Sequence, residues 1–190
     1  SNYTPQYWTL SATGEKTINK VGLEGPLMEA SRFLYQATLG ADLATIEQVA
    51  NQGIEAWIDD QMTVPQSQTL DRLNEVFAEV IEWYLVNGGN PDEVSTRPYW
   101  TIFNYTWWEN HMKNDDLLRQ KVALALSEIF VISIESNLSD AGFGLADYYD
   151  ILLKHSFGNF EDMLREISLH PCMGYYLSHL NNPREIPEEN

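Results

Sequence analysis

Between the turn residues Pro65 to Thr69 and the run Asn87-Gly88-Gly89-Asn90-Pro91, apolar side chains recur in threes and fours: Leu70, Leu73, Val76, Phe77, Val80, Ile81, Tyr84 and Leu85. That spacing lines one face of an α-helix, whereas a half-buried strand would alternate every second residue. A helix this long with one apolar face must lay that face against something. The segments on either side offer only further helices.

Upstream, Phe33, Leu34 and Ala37 share a face before a stop at Gly40, and Asp42 stands where an N-cap would open a helix over Leu43 to Asn51. Gly53 fits the left-handed position that closes it, and Ile54, Trp57 and Ile58 face inward on a third helix ending near Met62. Downstream, Pro98 suits the first turn of a helix carrying Tyr99, Trp100, Phe103, Tyr105, Trp107 and Trp108 up to His111 and Met112. Asn114 then reads as the cap of a helix over about 115–135, with Asp115 and Asp116 in its first turn. After Lys121 that segment is apolar on nearly every face, which predicts a central, buried helix. Beyond the loop Asn137 to Gly144, helices are expected over Leu145 to His155, over Phe160 to Leu169 behind Asn159 and Asp162, and from Pro171 to a stop at Asn181-Asn182-Pro183.

The expected fold is therefore all-α: one domain of about eight helices around the central apolar helix at about 115–135, preceded by an irregular arm. The arm covers residues 1–27, where no period of 2 or 3.6 persists, and the helical domain covers 28–190. One domain is preferred because the first helices are too short to build a core alone.

Charge excludes some partners. With 28 acidic against 11 basic residues, a net charge of -17 and no cluster of Lys and Arg, the chain lacks the basic footprint that nucleic acid or an anionic membrane surface requires. No stretch reaches the roughly 18 consecutive apolar residues of a membrane span. The single cysteine, Cys172, has no partner for an internal disulfide and reads as a core thiol.

Four segments resemble the bacterial domain-of-unknown-function family 1800 (DUF1800): Arg32 to Gly40; Leu118 to Ser133; Tyr148-Tyr149-Asp150 through Phe160; and His170-Pro171-Cys172-Met173-Gly174 through Ser178. The resemblance covers about Ala30 to Asn190. The departures are mild, with Lys121 where the family commonly has Arg and Glu188 where it has Asp. It implies an exported, extracytoplasmic bacterial protein, often encoded beside another exported protein, with no agreed activity or catalytic residues. Family members continue past a motif that stands here as Pro187-Glu188-Glu189-Asn190, so the chain reads as the N-terminal part of a longer family domain.

Chemistry is sparse. Glu128 sits within the almost wholly apolar helix Leu118 to Ser133, and a buried carboxylate must be paired, protonated or turned toward a site. A buried ion pair and a general acid/base or metal ligand are both open readings. His155 and His170 each end a helix, where capping is the default role. No two histidines have the i,i+4 spacing of a zinc helix, so a metal site would need Glu128, Asp150, His155 and His170 to meet across helices. Asn137 to Gly142 offers oxygen ligands and glycines but lacks the closing glutamate of a calcium loop, and serves a tight turn equally well. Trp100, Phe103 and Trp107 form a stripe that reads as core, with stacking on sugar rings as the other use of exposed indoles. No motif indicates a cofactor.

Two functions follow as expectations. The first is a non-catalytic scaffold or binding module for a partner protein, such as the co-encoded one, or for a cell-surface polymer. The second is a metal-assisted or acid/base hydrolase of extracellular material, with Glu128, His155, His170 and Glu189 in one cleft completed by a missing C-terminal part.

Overall fold

The computed structural model describes residues 6–10, 16–20, 23–134, 137–180 and 182. The fold is all-α, as expected, with nine α-helices among the described residues. The chain groups into two compact units, Ser1–Thr63 and Val64–Asn190.

In the first unit, β1 (Gln6–Leu10) pairs antiparallel with β2 (Lys16–Lys20), Trp8 opposite Ile18. An irregular arm was the expectation here. Five-residue strands are too short for a period of 2 to register, although Tyr7, Trp8, Thr9, Thr17 and Ile18 all favour the pleated conformation. Three helices follow: α1 (Pro26–Ala37), α2 (Leu43–Gln52) and α3 (Ile54–Thr63). Asp42 caps α2 as its position predicts, accepting from Thr45 N at 2.8 Å. Gly53 ends that helix at φ 91°, a region open to glycine. Phe33 and Trp57 meet edge to face, 5.6 Å between centroids.

The second unit contains α4 (Thr69–Val86), a 3₁₀ turn (Pro91–Glu93), α5 (Trp100–Lys113), α6 (Leu117–Ile129), α7 (Gly142–His155), α8 (Phe160–Leu169) and α9 (Pro171–Tyr176). The central helix is α7, which packs against α4, α5, α6, α8 and α9 and buries Leu145, Ala146, Tyr148, Tyr149, Leu152 and Leu153. This corrects the assignment of the centre to 115–135. In α6 the fully buried residues are Gln120 and Ala123, while Ile129 near its end is 69% exposed. An apolar surround is necessary for a central helix but does not bring neighbours to every face.

The helix starts also shift. Pro98 precedes α5 by two residues, and its carbonyl accepts from Gly142 N at 3.0 Å while Trp100 N donates to Ser139 O at 2.8 Å. These bonds tie the start of α5 to the loop before α7. Asn114 closes α5 instead of opening α6. Asp116 occupies the N-cap position of α6, but its carboxylate reaches back to the α4 entry, accepting from Ser67 N at 2.9 Å and from Ser67 Oγ at 2.6 Å.

Candidate functional site

Glu128 is exposed, and among the described residues it makes no hydrogen bond or ion pair. This overturns its reading as a buried carboxylate. The inward line of α6 runs through Gln120, Ala123 and Leu126, and at 100° per residue Glu128 stands roughly 140° away from it. Hydropathy alone did not disclose which side of that helix has neighbours.

The other candidates are engaged separately. His155, the last residue of α7, places Nε2 3.2 Å from Glu166 Oε1. Glu166 also takes Lys154 Nζ at 2.7 Å, and Lys154 followed by His155 holds its carboxyl below the usual range. His170 joins α8 to α9: Nδ1 accepts from Cys172 N at 3.2 Å, and Nε2 lies 3.2 Å from Asp147 Oδ2. It therefore caps the start of α9, whereas the sequence suggested bonding to the last carbonyls of α8. Asp150 accepts from Thr69 N at 2.7 Å and Leu70 N at 2.9 Å. Burial pushes its carboxyl above the ordinary value in spite of those bonds. Glu189 lies outside the described residues. Among the described residues, no three His, Cys, Asp or Glu side chains are disposed to hold a metal ion.

Two further features lose their chemistry. Asp140, in the loop considered for calcium, pairs with Arg97 at 2.8 Å. Cys172 is buried, and desolvation pushes its thiol up to about 11, so it remains protonated and unreactive near neutrality.

One feature with the geometry of a binding site is an aromatic cleft of about 320 Å³ between α5, α6 and α7. One wall is Phe103, Asn104, Trp107 and Trp108, two i,i+4 pairs on adjacent rows of α5. Opposite are Leu124 and Ser127 of α6, then Phe130, Ile132 and Ile134; the floor is Leu145, Tyr148, Tyr149 and Leu152 of α7. Its volume is near the lower end of the 300–1,000 Å³ usual for small-molecule pockets. That is room for one or two large side chains or a ring.

The rings are held in place from behind. Trp107 lies 3.7 Å from the His111 ring and meets Tyr149 edge to face at 6.2 Å. His111 Nδ1 donates to Trp107 O at 2.6 Å, and burial lowers the histidine, which keeps it neutral with the proton on that nitrogen. Tyr148 Oη donates to Phe130 O at 2.8 Å, fixing the segment that forms the far wall. Burial raises both tyrosines above their ordinary value, so neither supplies a phenolate. At the mouth, Trp108 is 56% exposed, and Phe130 leans on the exposed Phe160 with centroids 6.0 Å apart.

The cleft's polar groups are few and mostly spent inward. Ser127 Oγ donates to Leu124 O at 2.7 Å and Tyr148 Oη to Phe130 O, leaving Asn104, the indole N–H groups and the buried Tyr149 Oη, which has no hydrogen-bond partner among the described residues. Among the described residues no histidine, cysteine, carboxylate or cation lines it. Such a surface can bury apolar groups and stack on planar ones. The sequence assigns the Trp100, Phe103 and Trp107 stripe to core and Tyr105 and Trp108 to other faces, with stacking on sugar rings as the other use of exposed indoles. The available signal was that α5 carries aromatics on several faces, more than one packing contact can cover.

No curated protein and no solved structure matches this chain. A family model described as protein of unknown function (DUF1800) matches residues 32–190, a span that runs from Arg32 in α1 through every helix of the second unit. The chain is therefore a member of the DUF1800 family.

Proposed function

We propose that this chain is a binding module whose aromatic cleft receives an apolar anchor from a partner polypeptide. The observation that carries the reading is the inward use of the cleft's hydrogen-bonding groups, by Ser127 on Leu124 O and by Tyr148 on Phe130 O, beneath an exposed Trp108. A sugar polymer needs many directed polar partners around a stacking ring, and Asn104, the indole N–H groups and one buried tyrosine hydroxyl are a thin supply. A buried apolar anchor needs a desolvated aromatic pocket with a rim, the arrangement of an interface hot spot.

The hydrolase alternative has less support. Both ring nitrogens of His170 and both carboxylate oxygens of Asp150 are engaged in holding helix starts and neighbours, and Glu128 stands apart from them in contact terms. A place outside the cytoplasm belongs to the proposal and rests on the family resemblance; the acidic composition agrees with it.

Retention assays separate the ligand classes. The chain and its Trp108→Ala variant are mixed with insoluble cellulose, chitin and peptidoglycan, and in parallel titrated with a synthetic amphipathic helix bearing a leucine face. The expected result is no retention on any polysaccharide and peptide binding that the variant weakens at least tenfold. Polysaccharide retention lost in Trp108→Ala would replace the polypeptide reading with a carbohydrate one.

A further inference from the structure

The cleft has an electrostatic setting as well as an apolar wall. Among the described residues no Lys or Arg lines it. Glu128, exposed, follows Leu124, a wall residue, by one helical turn, and directly follows Ser127, which puts it on the helix surface beside that wall. No cation stands three or four residues from it in either direction, where Leu124, Ala125, Val131 and Ile132 are found. The exposed Phe160 that touches Phe130 is followed by the exposed Glu161, whose carboxylate among the described residues pairs with Arg165 at 3.5 Å. Of the basic groups of nearby helices, Lys113 is held by Glu109, Arg119 by the carbonyls of Leu153 and Val64, and Lys154 by Glu166, while Lys121 stands two helical turns before Glu128 on α6.

From this geometry we infer that the occupant of the cleft is a cationic amphipathic segment of another protein, its apolar side chain in the aromatic cleft and its Lys or Arg side chains over Glu128 and Glu161. The inference rests on the proposed role of the cleft and specifies the partner's chemistry. A second copy of this chain does not fit, because each carries a net charge of -17 and would bring like charge to the mouth. A neutral or acidic apolar segment would leave Glu128 desolvated beside the interface without a counter-charge.

The test uses the 190-residue chain and three synthetic peptides of about 15 residues, long enough to form helix. One presents a leucine face flanked by lysines, the second the same face flanked by glutamates, and the third has the lysines with the leucines scattered around the helix. Binding is read by anisotropy of a labelled peptide at two salt concentrations, against wild type, Trp108→Ala and the double variant E128Q/E161Q, each checked for native circular dichroism. The expected result is tightest binding of the leucine–lysine peptide, weakened at least tenfold by Trp108→Ala. The double variant should weaken it about two- to fivefold, the range for exposed charge pairs, with a shallower salt dependence.

Equal binding of the lysine and glutamate peptides, both sensitive to Trp108→Ala, would overturn the cationic inference and leave the cleft reading intact. Indifference of all three peptides to Trp108→Ala would overturn the cleft reading itself. Self-association on sedimentation that Trp108→Ala abolishes would make the occupant a second copy and overturn the inference.

Discussion

Asp150 carries the most exacting test of how this fold is held. The N-cap position of α4, Gln68, makes no side-chain cap bond, so the first N–H groups of an 18-residue helix have no local acceptor. Asp150 supplies it from α7, with Oδ1 on Thr69 N and Oδ2 on Leu70 N. Thr69 is buried and Leu70 half-buried, so the two donors depend on that carboxylate to different degrees. Replacing Asp150 with Ala orphans both donors, at about 1–3 kcal/mol for a buried group and less for one that water can reach, or about 2–4 kcal/mol together. For a chain of this size each kcal/mol moves Tm by about 2–4 °C, giving a fall of about 5–15 °C. Asp150→Asn keeps one acceptor and turns an amide N–H toward the second donor, so it should fall between, at about 1–2 kcal/mol.

The pH dependence fixes the sign. Burial raises the Asp150 carboxyl above 3.8, so the folded chain holds this proton more tightly than the unfolded one. Its contribution to stability is fully present below the unfolded value and is lost as pH rises through the folded value. The gap between wild type and Asp150→Asn should therefore be widest in acid and narrow toward neutrality, read by urea titration with far-UV circular dichroism. A gap that widens as pH rises would mean that the two N–H bonds outweigh burial, refuting the reasoning. An Asp150→Ala variant as stable as wild type at neutral pH would show that α4 does not depend on this cap.

Other consequences are equally direct. At Gly142 an added Cβ would come 2.6 Å from Pro98 O and 3.0 Å from its ring, so Gly142→Ala should cost about 1–3 kcal/mol in urea titration by parting α5 from α7. Removing the His170 cap of α9 with Ala should cost about 1 kcal/mol, and Asn at that position should restore most of it, seen as recovery of Tm. Cys172, buried and with its thiol raised to about 11, should resist a disulfide reagent in the native chain at mildly alkaline pH and react promptly in urea. Glu109 takes Arg72 at 2.8 Å and also Lys113, and these hold its carboxyl at about 2; its stabilising effect should be present above 4.5 and disappear as pH falls toward 2, a loss that Glu109→Gln removes.

What the sequence disclosed divides by distance along the chain. Asp42 on Thr45, Asn159 on Glu161 and Asp162, and Gly53 at the end of α2 act within three or four residues, and each is legible from its neighbours. Asp150 and Asp116 do the same work for the entry of α4 across 81 and 49 residues, and no local pattern reveals which helix end they will meet. Polar residues read as possible chemistry therefore include helix caps acting at a distance, and their buried or engaged state reflects holding. Glu128 drew attention because its helix is apolar all round, yet the same excess of apolar surface is why α6 has a face left without neighbours. The excess is still larger in α5, where Trp100, Phe103, Tyr105, Trp107 and Trp108 spread over several faces and α4 and α7 cover only some of them. A helix with more aromatic surface than its neighbours can cover is a binding surface in waiting. On that physical ground the proposed site is assigned to the aromatic residues, with Glu128 beside it.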